Sequence, residues 1–350
     1  MTSFTGASAR VAIVIRTKDR PLLLERAIDD ILAQTLSAWE AIIVNDGGDP
    51  VPIDSLVRSR DAALAGRLAV IHLPWPAGME AASNAGMGAT ATEFVVIHDD
   101  DDTWHPRFLE ETVSWLGTHP DRPAVAVATT IVIEQIDDGV VREISREPIT
   151  IPHDTLSLFD LVLGNRIPPI GMVFRRAAAE ASGGFDESLP VLGDWEFTLR
   201  IAAQAPIGYL AGTTLAFWHQ RPDSGGVVAN SVHGARLLHS QTDRELRDRA
   251  LRTYISDHGD GGLLYLARFV DERVAATEEA LTQRIAASEH ATLERLSDLE
   301  RAMNDRFPAD REKRIAQIDA IVHGHVQYHS PAATLRRFVS RAARPLRRRA

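Results

Sequence analysis

The chain has 350 residues, 45% of them hydrophobic and 25% charged, which is enough apolar material for one large domain with an extension or for two domains. A formal net charge of -10 argues against a nucleic-acid binder, and the lack of cysteine excludes disulfides and thiolate metal sites. No apolar run reaches the ~20 residues that span a bilayer, and the N-terminus has no signal-peptide core, so a cytoplasmic protein is expected.

VAIVI (11 to 15) is an unbroken β-branched run, the mark of a strand buried on both faces of a parallel sheet. RTKDRPLL follows, and LLLERAIDDILAQ spaces its apolar residues as a helix, with Pro21 at the tolerated first turn. AIIVN (41 to 45) is a second strand that ends at the turn DGGDP. LAVIHL (68 to 73) is a third, MEAASNAGMGATA (79 to 91) a small-residue helix, and FVVIH (94 to 98) a fourth strand. PRFLEETVSWL (106 to 116) is the next helix. Alternating strands and helices predict an α/β fold with a mostly parallel sheet.

AVAVATTIVIEQI (124 to 136) reads as one long strand, with DDGVV as its hairpin turn. The stretch from FDLVLGNR to TLRIAAQ reads as loops and short helices, and IGYLAGTTLAFWHQR (207 to 221) as strand, turn, strand. From Arg236 the chain turns rich in Ala, Arg, Glu and Leu. Val270, Val274, Thr277, Leu281, Ile285, Ser288, Thr292, Leu296, Leu299 and Met303 step by three and four, a heptad-like seam that would pair with a second copy. The end, TLRRFVSRAARPLRRRA, is basic with interleaved apolar residues and would suit the inner face of a membrane. These features divide the chain into 8–235 and a helical extension, 236–350, whose heptad-like part is 270–303.

Four adjacent aspartates, Asp99 to Asp102, close the fourth strand. Ligands in open α/β sheets bind at the carboxyl ends of strands, and Thr17 and Asp46 also follow strand ends. Adjacent carboxylates suit magnesium or manganese, which take hard oxygen ligands. A cluster capping the following helix is the alternative.

The ordered set VAIVIRTKDRPLLLERAIDDILAQT, AIIVNDGG, MEAASNAGMGATATEFVVIHDDDDTWHP and FDESLPVLGDWEFTLRIA resembles family 2 glycosyltransferases of the GT-A fold, over roughly residues 10 to 235. The resemblance implies a Rossmann-like nucleotide-diphospho-sugar-binding sheet. It also implies an inverting, metal-dependent transfer of the hexosyl type in polysaccharide or glycolipid synthesis. The donor would be a UDP-, dTDP- or GDP-sugar and the acceptor a saccharide or lipid-linked hydroxyl. Thr17, Asp46 and Asn84 match nucleotide-contacting positions. Asp99 and Asp101 match the DXD pair that holds Mn²⁺ or Mg²⁺ and diphosphate, with Asp99 shared with the ribose and Asp100 and Asp102 behind them. His219 would complete the metal shell, and Arg221 would meet phosphate. Many relatives carry arginine just before the asparagine, where this chain has Ser83, so one basic contact is either missing or supplied elsewhere. The family often has Glu-Asp in the acceptor-side motif; here Gly193 precedes Asp194, the expected general base, with Glu196 its rival and Trp195 a wall for the sugar. A sugar nucleotidyltransferase is the less favoured reading, since RTKDRP has no glycine, and a non-catalytic oligomerising scaffold is the other alternative.

Overall fold

The computed structural model describes residues 9–137, 140–149, 151, 155–222, 236–260, 262–306 and 315–320. Two compact units emerge, Met1–Arg252 and Thr253–Ala350.

In the first unit, β1 (Val11–Thr17) and α1 (Pro21–Leu32) lead into β2 (Trp39–Asn45), α2 (Pro50–Ser59), α3 (Asp61–Leu64) and β3 (Leu68–His72). Then come α4 (Met79–Gly88), β4 (Phe94–Asp99), β5 (Thr103–Trp104) and α5 (Phe108–Thr118). β6 (Ala124–Val127), β7 (Thr129–Asp137), β8 (Val140–Pro148), β9 (Thr155–Leu156) and α6 (Leu158–Val162) follow. The remainder is β10 (Met172–Arg175), α7 (Arg176–Ala181), α8 (Gly193–Gln204), β11 (Ile207–Leu210), β12 (Ala216–Gln220) and the start of α9 (Arg236–His258).

Eight strands form the main sheet in the order β3-β2-β1-β4-β10-β6-β11-β9. β1 is buried along its whole length between parallel β2 and β4. Its alternating side chains divide the core in two. Val11, Ile13 and Ile15 pack with α1 and α5 on one face, while Ala12 and Val14 meet Ala82 of α4 and Phe197 of α8 on the other. Gly86 lets α4 lie close on the sheet, since a Cβ there would fall 2.3 Å from a methyl of Val14. The order reverses at β1 and β4, where Arg16 pairs with Asp99 in register, and open α/β sheets place their ligand crevice at the strand ends of such a reversal.

The expected long strand 124–136 is instead two strands. β6 pairs with β10 and β11 in the main sheet, and after Ala128 the chain enters a second sheet, ordered β5-β12-β7-β8. Ala128 spends its N–H on Leu210 and its carbonyl on Leu215, so the ladder changes partners there. The expected hairpin of β7 and β8 is present, with turn residues 138 and 139 outside those described. β11 and β12 are not a hairpin, since each lies in a different sheet. MVFR, expected in loops and short helices, is β10, an antiparallel strand at the sheet's centre.

The second unit contains α10 (Leu263–Arg306), 44 residues long. Val270, Val274, Leu281, Leu296 and Leu299 are all exposed along it. No helix among the described residues is long and apolar enough to cross a membrane. The basic tail and the Gly225–Gly226 loop lie outside the described residues.

Candidate functional site

The aspartate run turns inward at the β1/β4 crevice, and arginines from four different segments meet it. Arg16, on β1, donates from Nε and Nη2 to Oδ1 of Asp99 at 2.8 and 2.5 Å. Its Nη1 reaches Ser83 Oγ at 3.2 Å. The guanidinium of Arg16 therefore stands against the position where an arginine at 83 would begin.

Arg20, just before α1, forms an ion pair with Asp100 Oδ1 at 2.6 Å and donates from Nε to Asp100 Oδ2 at 3.2 Å and from Nη1 to Asp101 Oδ2 at 3.3 Å. Thr17 Oγ1 donates to Asp100 Oδ2 at 2.6 Å. Arg26, one turn into α1, bonds the carbonyl of Asp101 and Oε2 of Glu134, the latter at 2.9 Å. Arg221, fully buried after β12, pairs with both Asp101 and Glu134. Glu134 sits where the β7/β8 register shifts, a bulge that re-aims a side chain.

Burial sets the acid strengths. It pushes Asp100 up to about 7 despite Arg20, with the neighbouring Asp101 charge adding to the rise. It pushes Asp102 well above the ordinary range, again helped by Asp101. Asp102 accepts the His219 N–H at 2.8 Å with Oδ1, while its buried Oδ2 has no hydrogen-bond partner among the described residues. For Glu134 burial is outweighed by hydrogen bonds from His219 and Arg26, which bring it down to about 2.

His219 is not placed as a metal ligand here. Its Nδ1 bonds Glu134 at 2.6 Å and its Nε2 bonds Thr103 Oγ1 at 2.9 Å, so both ring nitrogens are engaged. Arg221, expected at phosphate, turns to carboxylates instead.

Among the described residues no three His, Asp or Glu side chains form a ready-made metal group. The chemistry of the donor set nevertheless fits a hard cation. Asp99 and Asp101 offer carboxylate oxygens, and the unpaired Oδ2 of Asp102 adds negative character behind them. Magnesium and manganese usually take only one or two protein carboxylates and complete their shell with phosphate and water.

Asp46 lies just past β2. Its Oδ1 accepts the Ala77 N–H at 2.6 Å and its Oδ2 the Gly78 N–H at 3.1 Å, which fixes the loop entering α4. Asn84 does not point into the crevice. Its amide bonds the backbone N–H and carbonyl of Phe185 at 2.9 Å and the carboxylate of Glu187 at 2.8 Å. It therefore clamps α4 to the chain that leads to α8.

Asp194 is the second residue of α8, preceded by Leu192 in the left-handed region at φ 64. Such strain in a non-glycine residue clusters at functional sites. Asn165 Nδ2 donates to its Oδ2 at 2.8 Å. Burial pushes its pKa up, the Asn165 and Trp195 donors pull it back, and the charges of Arg16 and Asp99 also reach it. Glu196 is tied to Arg200 at 2.6 Å. Trp195 is no sugar wall: it is buried, donates to the Leu161 carbonyl at 2.8 Å, and lies beneath the Arg247 guanidinium.

The residues that sequence reasoning missed are Arg20, Arg26, Glu134 and the inward use of Arg16. A visible signal existed for Glu134, a lone charge inside the β-branched run TTIVIEQI. Asn165 lies in GNRIPPIG (164 to 171), a segment whose sequence suits a lining of the acceptor side.

The pattern described as Glycosyl transferase family 2 matches residues 12–181. The uncharacterized glycosyltransferase YwdF of Bacillus subtilis is 30% identical over 55% of this chain and 68% of its own. The amylovoran biosynthesis glycosyltransferase AmsE of Erwinia amylovora is 26% identical over the same shares. Among solved structures, the mannosyltransferase PcManGT of Pyrobaculum calidifontis, in complex with GDP-Man and Mn²⁺, superposes with a TM-score of 0.50 at 17% identity, covering 71% of this chain and 68% of that one. With this sheet order, the acidic crevice at the β1/β4 reversal, and these matches in sequence, the chain belongs to glycosyltransferase family 2.

Proposed function

We propose that this enzyme moves a sugar, with inversion, from a UDP-, dTDP- or GDP-sugar to a hydroxyl of a growing polysaccharide or glycolipid. The observation that carries the reading is the convergence of Asp99, Asp100 and Asp101 with Arg16, Thr17 and Arg20 at the ends of β1 and β4, where open α/β sheets bind ligands. The name of AmsE supports a polysaccharide product.

Thr17 and Asp46 flank the base and ribose, the carboxylate of Asp46 being able to accept an imide N–H with lone pairs left by its backbone bonds. Asp99 and Asp101 would hold Mn²⁺ or Mg²⁺ at the diphosphate end. When bound, the cation offsets the charge of the departing diphosphate. Arg16 supplies the basic contact that Ser83 cannot. His219 and Arg221 brace Glu134 and Asp101 from behind.

Asp194 takes the proton of the acceptor hydroxyl as that oxygen bonds to the anomeric carbon. The bond from this carbon to the diphosphate oxygen breaks on the opposite side, and its electron pair leaves with the nucleoside diphosphate. Burial raises the basicity of Asp194 toward this task, and Asn165 fixes its orientation. Glu196, held by Arg200, is the poorer base.

The test is Asp194→Asn, isosteric but unable to accept the proton. Sugar transfer should fall by about 10²–10⁴-fold, with nucleoside-diphosphate affinity unchanged. Transfer at the wild-type rate would remove Asp194 as the base.

A further inference from the structure

The acceptor-side motif lacks the acid that often precedes its aspartate, and Gly193 stands there instead. The structure shows what fills the place. A Cβ on Gly193 would fall 2.1 Å from Oε1 of Glu80, 2.3 Å from its Cγ and 2.5 Å from its Cδ. Real Cβ atoms do not approach other atoms so closely, so a side chain at 193 and the present Glu80 rotamer exclude one another. Glu80 comes from the first turn of α4, about a hundred residues earlier in the chain.

Its surroundings are unusual for a carboxyl. Glu80 is 3% exposed, yet no side chain among the described residues donates a hydrogen bond to it. The charges that reach it are those of Arg16, Asp194 and Asp99, which are the groups of both halves of the crevice. A carboxyl offers about four acceptor positions, and hydroxyl groups are the donors that a sugar would bring.

We propose that Glu80 is the second acid of the acceptor-side pair, carried on α4 rather than at position 193, and that its carboxyl accepts a hydrogen bond from a hydroxyl of the sugar being transferred. This role rests on the transfer reaction proposed above. It also explains the glycine: Gly193 is the vacancy that Glu80 requires. Glu80 lies in the first turn of α4 against the first turn of α8, and the Arg16 guanidinium offsets part of the cost of burying its carboxyl.

The experiment compares Glu80→Ala, Gly193→Glu and the double variant Glu80→Ala/Gly193→Glu with wild type. Turnover is read as nucleoside-diphosphate release from UDP-glucose, UDP-N-acetylglucosamine, GDP-mannose and dTDP-glucose in Mn²⁺. Affinity for the nucleoside diphosphate alone and melting temperature are read in parallel. Glu80→Ala should lose about 10- to 100-fold in turnover, the range for a hydrogen bond to a charged group, while sugar-free nucleotide binds as in wild type. The double variant should regain about tenfold over Glu80→Ala. Gly193→Glu alone should melt lower than wild type, and this cost should vanish in the Glu80→Ala background. Wild-type turnover in Glu80→Ala, an equal loss of nucleotide affinity, no recovery in the double variant, or the same melting cost in both backgrounds would each overturn the proposal. Asp194→Asn, run alongside, separates the two assignments: full activity there removes the base, and the Glu80 comparison is still read on turnover.

Discussion

Glu80 and Asp194 each sit in the first turn of a helix, and burial pushes both up from the ordinary carboxylate range, Glu80 to about 7. The sign of the consequence follows from linkage. An acid whose folded value lies above its unfolded value binds more protons in the folded state, so stability falls as pH rises between the two. For Glu80 the window runs from 4.5 to about 7. Glu80→Gln should therefore flatten the dependence of melting temperature on pH across that window; an unchanged slope would show that Glu80 ionises freely. At this scale the acids were legible in the sequence, because Asp99 to Asp102 and Asp194 stand at strand and helix ends. Their partners were not. Arg16, Arg20 and Arg221 meet the aspartates across separations of about 80 to 120 residues, and nothing in local spacing distinguishes a guanidinium turned inward from one in solvent. Asn84 misled for the same reason, since its amide is spent on Phe185 and Glu187.

Among elements, the second sheet is what completes the crevice. β12 brings His219, and the residue after it, Arg221; β7 brings Glu134; β5 brings Thr103. Arg221 couples this sheet to the end of β4 through Asp101. Removing one partner of a buried ion pair leaves uncompensated charge and costs about 3–5 kcal/mol. Arg221→Ala leaves two acids without that partner and should lower unfolding free energy by about that amount, measured by denaturant titration. A change within about 0.5 kcal/mol, ordinary for a surface substitution, would show that Arg221 is not integral to the cluster. The first four strands were plain in the sequence because a parallel strand buried on both faces reads as a continuous apolar run. β10 was hidden, since MVFR is short and its neighbours are antiparallel, and the break at Ala128 was hidden because both halves of 124–136 are equally β-branched. Apolar pattern fixes that a segment is a strand, not which sheet it joins.

For the whole molecule, the heptad-like spacing foresaw one continuous helix, α10, and left its partner to be found. Val270, Val274, Leu281, Leu296 and Leu299 are all exposed, and only with Thr277, Ile285, Ser288 and Thr292 between them do they step by three and four. We propose a second copy of this chain as the occupant. Light scattering should give a dimer for the full chain and a monomer for Leu281→Asp/Leu296→Asp; a monomeric wild type would contradict the pairing. The donor site bears the larger weight. Its acids, arginines and strand ends converge where the sheet order reverses, as expected for a crevice that holds a nucleoside diphosphate with a hard cation. The most direct measurement is calorimetric titration of UDP, dTDP and GDP, with and without Mn²⁺, into wild type and Asp101→Ala. The account predicts that one nucleotide binds well, that binding needs Mn²⁺, and that Asp101→Ala abolishes it. Binding indifferent to Mn²⁺ and to Asp101, or no binding of any of the three, would contradict it.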